Sequence, residues 1–162
     1  MNVAYLCLGG NIGDREASMS LAITKINLLA GPVILTSPVY ETEAWGVTGQ
    51  QAYLNCCLAI ETLLPAQELI IILLEIEKEL GRSRNAWQTY EPRTMDIDIL
   101  FYGTEIIHSE YLVVPHPRLH LRRFVLTPLN TIAPDLLHPV LNQTISVLLA
   151  ECKDNSSVTL FK

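Results

Sequence analysis

Positive charge is scarce in this sequence. Eleven Lys and Arg stand against 17 Asp and Glu, giving a formal charge of −6. That balance argues against a general nucleic-acid or membrane-surface binder. Cysteine is sparse as well: Cys7, Cys56, Cys57 and Cys152, none at C-x-x-C spacing, which speaks against a zinc or redox site. Adjacent Cys56 and Cys57 read as small buried hydrophobes and fit a reducing compartment. Long hydrophobic runs are missing. The longest nearly apolar stretch, Leu69–Leu74, is far too short to span a bilayer. The N-terminus lacks a basic region followed by an apolar core, so no signal peptide is read and a cytoplasmic protein is expected. There are no repeats, no low-complexity tracts and no interdomain linker. A chain of 162 residues that is 49% hydrophobic suits one domain, 1–162, with a sizeable core.

The little positive charge present is unevenly placed. Six of the eleven basic residues lie between positions 82 and 123, and all six are Arg: Arg82, Arg84, Arg93, Arg118, Arg122 and Arg123. Arginine is the better bidentate phosphate ligand. Inside that window lies Met95-Asp96-Ile97-Asp98-Ile99-Leu100-Phe101, which alternates as a strand does. Asp96 and Asp98 then share a face, about 7 Å apart at Cα. Aspartate is depleted in strands, so the pair needs a reason. Two readings fit: a face holding Mg²⁺ ions roughly 3.5–4 Å apart, or the solvated face of an edge strand. Arg93 just ahead of the pair, after the rigid Pro92, favours the metal–polyphosphate reading.

Around this strand the chain reads as β–α–β–β–α–β. Val3–Leu8 is a central strand, and the glycines that follow it form a turn into a helix capped by Asp14. Ser18, Leu21, Ala22, Lys25, Ile26 and Leu29 mark that helix's mostly apolar face, and Gly31-Pro32 stops it. Val33–Tyr40 is a strand with an edge or bulge signal at Pro38. Tyr53–Glu61 is another, with Leu54, Cys56, Leu58 and Ile60 on one face. Pro65 opens a second helix through Leu80, and Gly81 ends it. Glu105–His108 is expected as a hairpin partner of the Asp strand. Leu119–Thr127 reads as helical, Thr144 as the cap of a last helix, and the final residues as a short edge strand. His120 and His138 read as surface or packing residues. The order implies an α+β, ferredoxin-like split βαβ core, an antiparallel-rich sheet with helices packed on it. Two long connections, 41–51 with Trp45 and 82–92 with Trp87, flank the Asp strand and have the length of functional lids.

The chain resembles the 6-hydroxymethyl-7,8-dihydropterin pyrophosphokinases of folate biosynthesis. The resemblance is carried by Leu8-Gly9-Gly10-Asn11-Ile12-Gly13-Asp14, Tyr40-Glu41-Thr42-Glu43, Tyr53-Leu54-Asn55, Gly81-Arg82-Ser83-Arg84, Pro92-Arg93-Thr94-Met95-Asp96-Ile97-Asp98, and Pro115-His116-Pro117-Arg118 through Arg122 and Phe124. It runs from about residue 3 to about 138, and its Pro-Arg-Thr-x-Asp-x-Asp block is specific. Glu91 and Thr89 depart from the family's pattern. The resemblance implies transfer of pyrophosphate from ATP to the pterin hydroxymethyl group, with release of AMP. It implies that Asp96 and Asp98 hold two Mg²⁺ ions and that Arg82 and Arg93 neutralise charge in the transition state. Glu77, Arg84, Tyr90, Ile99, His116 and Arg122 are implied as further ATP contacts. Tyr53 and Phe124 are implied as the aromatic pair that sandwiches the pterin, with Thr42, Glu43, Trp45 and Asn55 at its edge. The expected partners are these small molecules, with no nucleic acid and no membrane; oligomeric state is not legible. A nucleotidyltransferase would share Asp-x-Asp but not the other blocks. A non-enzymatic ferredoxin-like module for a ligand or RNA is the remaining alternative, and the acidic balance and the Asp pair count against it.

Overall fold

The computed structural model describes residues 1–43, 49–81 and 94–162. In chain order these form β1 (Asn2–Gly10), α1 (Arg15–Leu29), β2 (Val33–Thr36), β3 (Tyr40–Thr42), β4 (Tyr53–Thr62), α2 (Ala66–Glu79), β5 (Asp96–Tyr102), β6 (Ile107–His108), β7 (Val113–Val114), a 3-10 turn (Leu119–Leu121), α3 (Arg123–Ile132), α4 (Ile145–Glu151) and β8 (Val158–Leu160). The main sheet runs β5-β1-β4-β3-β8, with β2 also on β4 and every pairing antiparallel. The split βαβ core and the terminal edge strand are as the sequence implies.

Each face of the sheet carries its own core. Leu6, Leu8, Leu54, Leu58, Ile60, Ile97 and Ile99 point toward α1 and α2. Cys7, Cys57 and Phe101 point the other way, toward α3 and α4. The period-two alternation expected in β4 therefore holds, and both sets of side chains are covered. Asp14 and Thr144 cap α1 and α4, accepting from the Ala17 and Val147 N–H groups at 3.0 and 3.3 Å. Among the described residues, no helix is long and apolar enough to cross a membrane.

Several local readings are corrected. The strand expected over Val33–Tyr40 is broken in two at Ser37-Pro38. Pro38 has no N–H to give a ladder, and the Ser37 hydroxyl instead accepts from the Cys57 N–H at 2.9 Å. Four steps from Thr36 to Tyr40 face three from Leu58 to Asn55, so one extra residue is accommodated there. The buried stripe of α1 is Met19, Ala22 and Ile26, whereas Leu21 and Leu29 are about half exposed. The thioether of Met19, 3.4 Å from the Cys56 sulfur, anchors the helix on that stripe. Finally, Ile107–His108 pairs with Val113–Val114 and not with the Asp strand. The outer edge of β5 is already occupied: Glu77 accepts from the Ile97 N–H, and the His116 N–H donates to the Leu100 carbonyl at 2.9 Å.

Gly31, at the exit of α1, has φ +141°, and a Cβ there would lie 2.1 Å from the Glu61 carbonyl oxygen. That oxygen belongs to the middle of the sheet and cannot swing aside. Gly31→Ala is expected to cost about 3 kcal/mol or more, the range of backbone strain plus a rigid clash. Chemical denaturation measures it; a loss under about 1 kcal/mol would mean that the turn relaxes freely.

Candidate active site

Asp96 and Asp98 lie on the α3 side of β5, because Ile97 and Ile99 fill the opposite core. Both aspartates are half-buried, and the Asp98 side chain is 40% exposed. Antiparallel register builds a row across the sheet from Asp96. Gly9 on β1 stands opposite Asp96, Asn55 on β4 opposite Gly9, and Tyr40 on β3 opposite Asn55. Directly paired residues share a face, so this row is one surface. Two strand spacings put Asp96 and Asn55 about 10 Å apart.

Asn55 is 3% exposed. Its Nδ2 donates to the Thr42 Oγ1 at 3.0 Å, which satisfies part of a buried amide in an otherwise apolar strand. A Cβ on Gly9 would sit 2.6 Å from the Asn55 Oδ1. Gly9 is therefore the gap into which the amide oxygen projects. Tyr53, two residues before Asn55, is half-buried on the same face. Helix α3 covers that face, as the Cys57 thiol donating to the Val125 carbonyl at 3.7 Å shows. Phe124, in the first turn of α3, is half-buried, and the Arg122 guanidinium carbon lies 5.6 Å from its ring centre. Glu43 is exposed at the end of β3.

His116 lies beside Asp98, Nε2 to Oδ2 3.9 Å. Burial, aided by the Arg122 and Arg118 charges and opposed by Asp96, lowers its pKa to about 4. The ring is therefore neutral at pH 7. Its Nδ1 accepts from the Arg118 N–H at 3.1 Å, so the ring proton belongs on Nε2, the nitrogen facing Asp98. Glu77 is 1% exposed, and its Oε1 accepts from the Ile97 N–H at 2.8 Å. It holds the strand that carries the aspartates. The Ile99 side chain is in the core, 3% exposed, so only its main chain is left for a ligand. Arg82, Arg84, Tyr90, Arg93, Trp45 and Trp87 lie outside the described residues.

Sequence reasoning missed two supports. Arg15 donates through Nη1 to the Glu41 Oε2 at 2.8 Å and the Ala52 carbonyl at 2.6 Å. Asn11, buried, donates to the Gln51 carbonyl at 3.3 Å. Asn11 ties the segment entering β4 to the end of β1, and Arg15 ties it and β3 to the first turn of α1. Their partners are too distant in sequence to leave a signal. His138 is a packing residue as read: it stacks edge-on against Phe101 and accepts from the Val140 and Leu141 N–H groups.

The donor set suits a hard cation. Asp96 and Asp98 offer carboxylate oxygens, and among the described residues no three His, Cys, Asp or Glu are grouped to enclose a metal. Two carboxylates without an all-protein cage are what Mg²⁺ uses when water and substrate phosphates supply its other ligands.

Comparison with known proteins agrees with this chemistry. The family model for 7,8-dihydro-6-hydroxymethylpterin-pyrophosphokinase matches residues 5–134. The 2-amino-4-hydroxy-6-hydroxymethyldihydropteridine pyrophosphokinase of Bacillus subtilis (strain 168) is 42% identical over 132 residues, 81% of this chain and 78% of that protein. The enzyme of the same name from Aquifex aeolicus is 42% identical over 141 residues, 86% of each chain. The folic acid synthesis protein fol1 of Pneumocystis carinii is 39% identical over 151 residues, 93% of this chain but only 20% of that protein. The solved structure of wild-type Plasmodium falciparum HPPK-DHPS with pteroate has the same fold, with TM-score 0.76 at 17% identity, over 93% of this chain and 44% of that one. This chain thus spans a fifth of the Pneumocystis protein and under half of the Plasmodium one, but most of the bacterial relatives. It belongs to the 7,8-dihydro-6-hydroxymethylpterin-pyrophosphokinase family, enzymes that move pyrophosphate from ATP onto the hydroxymethyl group of a dihydropterin.

Proposed function

We propose that the row Asp96–Gly9–Asn55 is the floor on which this enzyme transfers pyrophosphate from ATP to 6-hydroxymethyl-7,8-dihydropterin, releasing AMP, for folate biosynthesis. The observation that carries the reading is the row itself: a carboxylate pair and a buried amide on one face, about 10 Å apart. At one end, Asp96 and Asp98 would hold two Mg²⁺ ions, which when bound neutralise phosphate charge and fix the phosphates for in-line attack. His116 presents a neutral N–H to the same end, and Arg122 brings a cation. Glu77 keeps β5, and so both aspartates, in place. The Ile97 N–H points to the outer edge of β5, and by strand alternation the main chain of Ile99 faces that edge too, where it can read a base. Arg82, Arg84, Tyr90 and Arg93 complete the nucleotide side in this reading, with Arg82 and Arg93 opposing the charge that develops on the phosphates.

At the other end, Tyr53 and Phe124 supply stacking faces for the flat pterin. Asn55 and Thr42 supply amide and hydroxyl partners for its edge, with Glu43 and Trp45 at the rim. The pterin hydroxyl oxygen, giving up its proton to solvent, forms a bond to the β-phosphorus as the bond from that phosphorus to the α–β bridging oxygen breaks, and AMP departs with that oxygen. Residues 1–162 act as one domain. The four thiols, all reduced and buried, suit the reducing cytoplasm.

The nucleotide product tests this reading. With ATP, Mg²⁺ and the pterin, AMP and a pterin diphosphate are expected in equal amounts, and little of either nucleotide product without the pterin. Stoichiometric ADP would mean attack at the γ-phosphorus and a different kinase. Folded protein that binds Mg-ATP but never turns it over with this pterin would point to another phosphotransfer reaction.

A further inference from the structure

The family model ends at residue 134, yet the chain continues into α4 and β8. After α4 it passes the N-terminus of α3 and is fastened there by Arg123. The Arg123 N–H donates to the Asp154 Oδ2 at 2.9 Å, its Nε to the Asp154 carbonyl at 2.6 Å, and its Nη2 to the Cys152 carbonyl at 3.1 Å. Asp154 is itself fixed, because its Oδ1 accepts from both the N–H and the hydroxyl of Ser156. Arg123 belongs to the arginine-rich window of the sequence, and its Nε and Nη2 turn to the tail. Its chain neighbours are Arg122 and Phe124.

Four residues later the same segment is fastened again. Val158 pairs with Thr42, and Leu160 with Tyr40. The Phe161 N–H donates to the Val39 carbonyl at 2.9 Å, and the Phe161 ring lies under Arg15. Thr42 is the residue that holds Asn55. One stretch of chain thus grips the helix end bearing Phe124 and the strand bearing Thr42. Four residues span at most about 14 Å even when fully extended, so neither grip can move far from the other.

We propose that residues 152–161 are a brace that sets the spacing between the two walls of the pterin pocket, with Arg123 and Asp154 as positioning residues. This inference rests on the assignment of Phe124, Thr42 and Asn55 to the pterin. Burial pushes the Asp154 carboxyl up, but the Ser156 hydrogen bonds, the Arg123 N–H and the Arg123 charge together hold it below the ordinary carboxylate range. The clasp is therefore fully charged at neutral pH. Among the described residues the brace's hydrogen bonds and strand pairings go to α3, α4, β3 and Val39 just before β3, and none goes to β5 or His116. Its loosening should therefore fall on pterin binding more than on nucleotide binding, where Arg122 is the one described contact beside the clasp.

The test uses the full chain with Asp154→Ala, Arg123→Ala and Phe124→Ala, at a temperature where circular dichroism shows each variant folded. Titration calorimetry measures the dissociation constants of 6-hydroxymethyl-7,8-dihydropterin and of a non-hydrolysable Mg-ATP analogue. Asp154→Ala and Arg123→Ala are expected to weaken pterin binding about tenfold, the cost of a modest misplacement of positioning groups, and nucleotide binding less than about threefold. If Arg123→Ala does not fold, Arg123→Lys keeps the main-chain bond and loses the fork, and an intermediate loss is expected. Unchanged pterin affinity in Asp154→Ala, beside a weakened Phe124→Ala, would overturn the brace alone. Equal losses for pterin and nucleotide would also overturn it, since general loosening would explain them. Unchanged affinity in Phe124→Ala would overturn the pocket assignment, and the brace with it.

Discussion

Asp96→Asn or Asp98→Asn is expected to lower turnover by at least ~10³ with the fold intact, the scale of losing a charge-stabilising element in phosphoryl transfer. The fold survives because neither side chain is part of a core: Ile97 and Ile99 carry the packing of β5 on its other face. Asparagine has nearly the same shape, so the packing of β5 is kept. Turnover falls because the chemistry offers the protein little covalent work. Its contribution is position and charge, and a carboxylate is the ligand that a hard cation demands. The expected signature is a lost kcat together with a Mg²⁺ requirement displaced to higher concentration, while pterin binding without metal is retained. Near-normal turnover in both variants would remove these residues from the site.

The Asp strand was legible because two independent signals coincide in it. Alternation puts both carboxylates on one face, and the depletion of Asp in strands makes that face conspicuous. The faces of β4 were legible for the same reason, since a sheet covered on both sides still sorts its residues by parity. Where the fold departs from expectation, the deciding partner lies far along the chain. Nothing near Glu105 indicates that Glu77 and His116 already occupy the outer edge of β5. Nothing near Arg123 indicates that its main-chain N–H, Nε and Nη2 meet Asp154 and Cys152. Gly9 was the least legible of all. The glycines after the first strand read as a turn, but Gly9 and Gly10 lie within β1 and are paired on both sides or one. The need for glycine at position 9 is set by the side chain of Asn55, and no local pattern encodes it.

That need gives the second large effect. Gly9→Ala is expected to weaken pterin binding by roughly 10- to 100-fold and to leave Mg-nucleotide binding nearly unchanged. The new Cβ would lie 2.6 Å from the Asn55 Oδ1, closer than any such contact can stand. β1 is held on both sides, by β4 and β5, so its backbone cannot retreat. The Asn55 amide is the flexible party and must turn. Turning breaks its bond to the Thr42 Oγ1 and leaves a buried amide poorly paired, at a cost of about 1–3 kcal/mol. The same rotation withdraws the group proposed to read the pterin edge, and losing that buried hydrogen bond to the ligand, a separate cost of about 1–3 kcal/mol, gives the stated loss of affinity. A double-mutant cycle isolates the cause. In the Asn55→Ala background no amide opposes the new Cβ, so Gly9→Ala should then cost little stability, although pterin affinity stays low because the reader is gone. Denaturation midpoints and pterin titrations on the four proteins decide it. If Gly9→Ala destabilises equally in both backgrounds, the clash with Asn55 is not what glycine avoids, and the row across β1 loses its central argument.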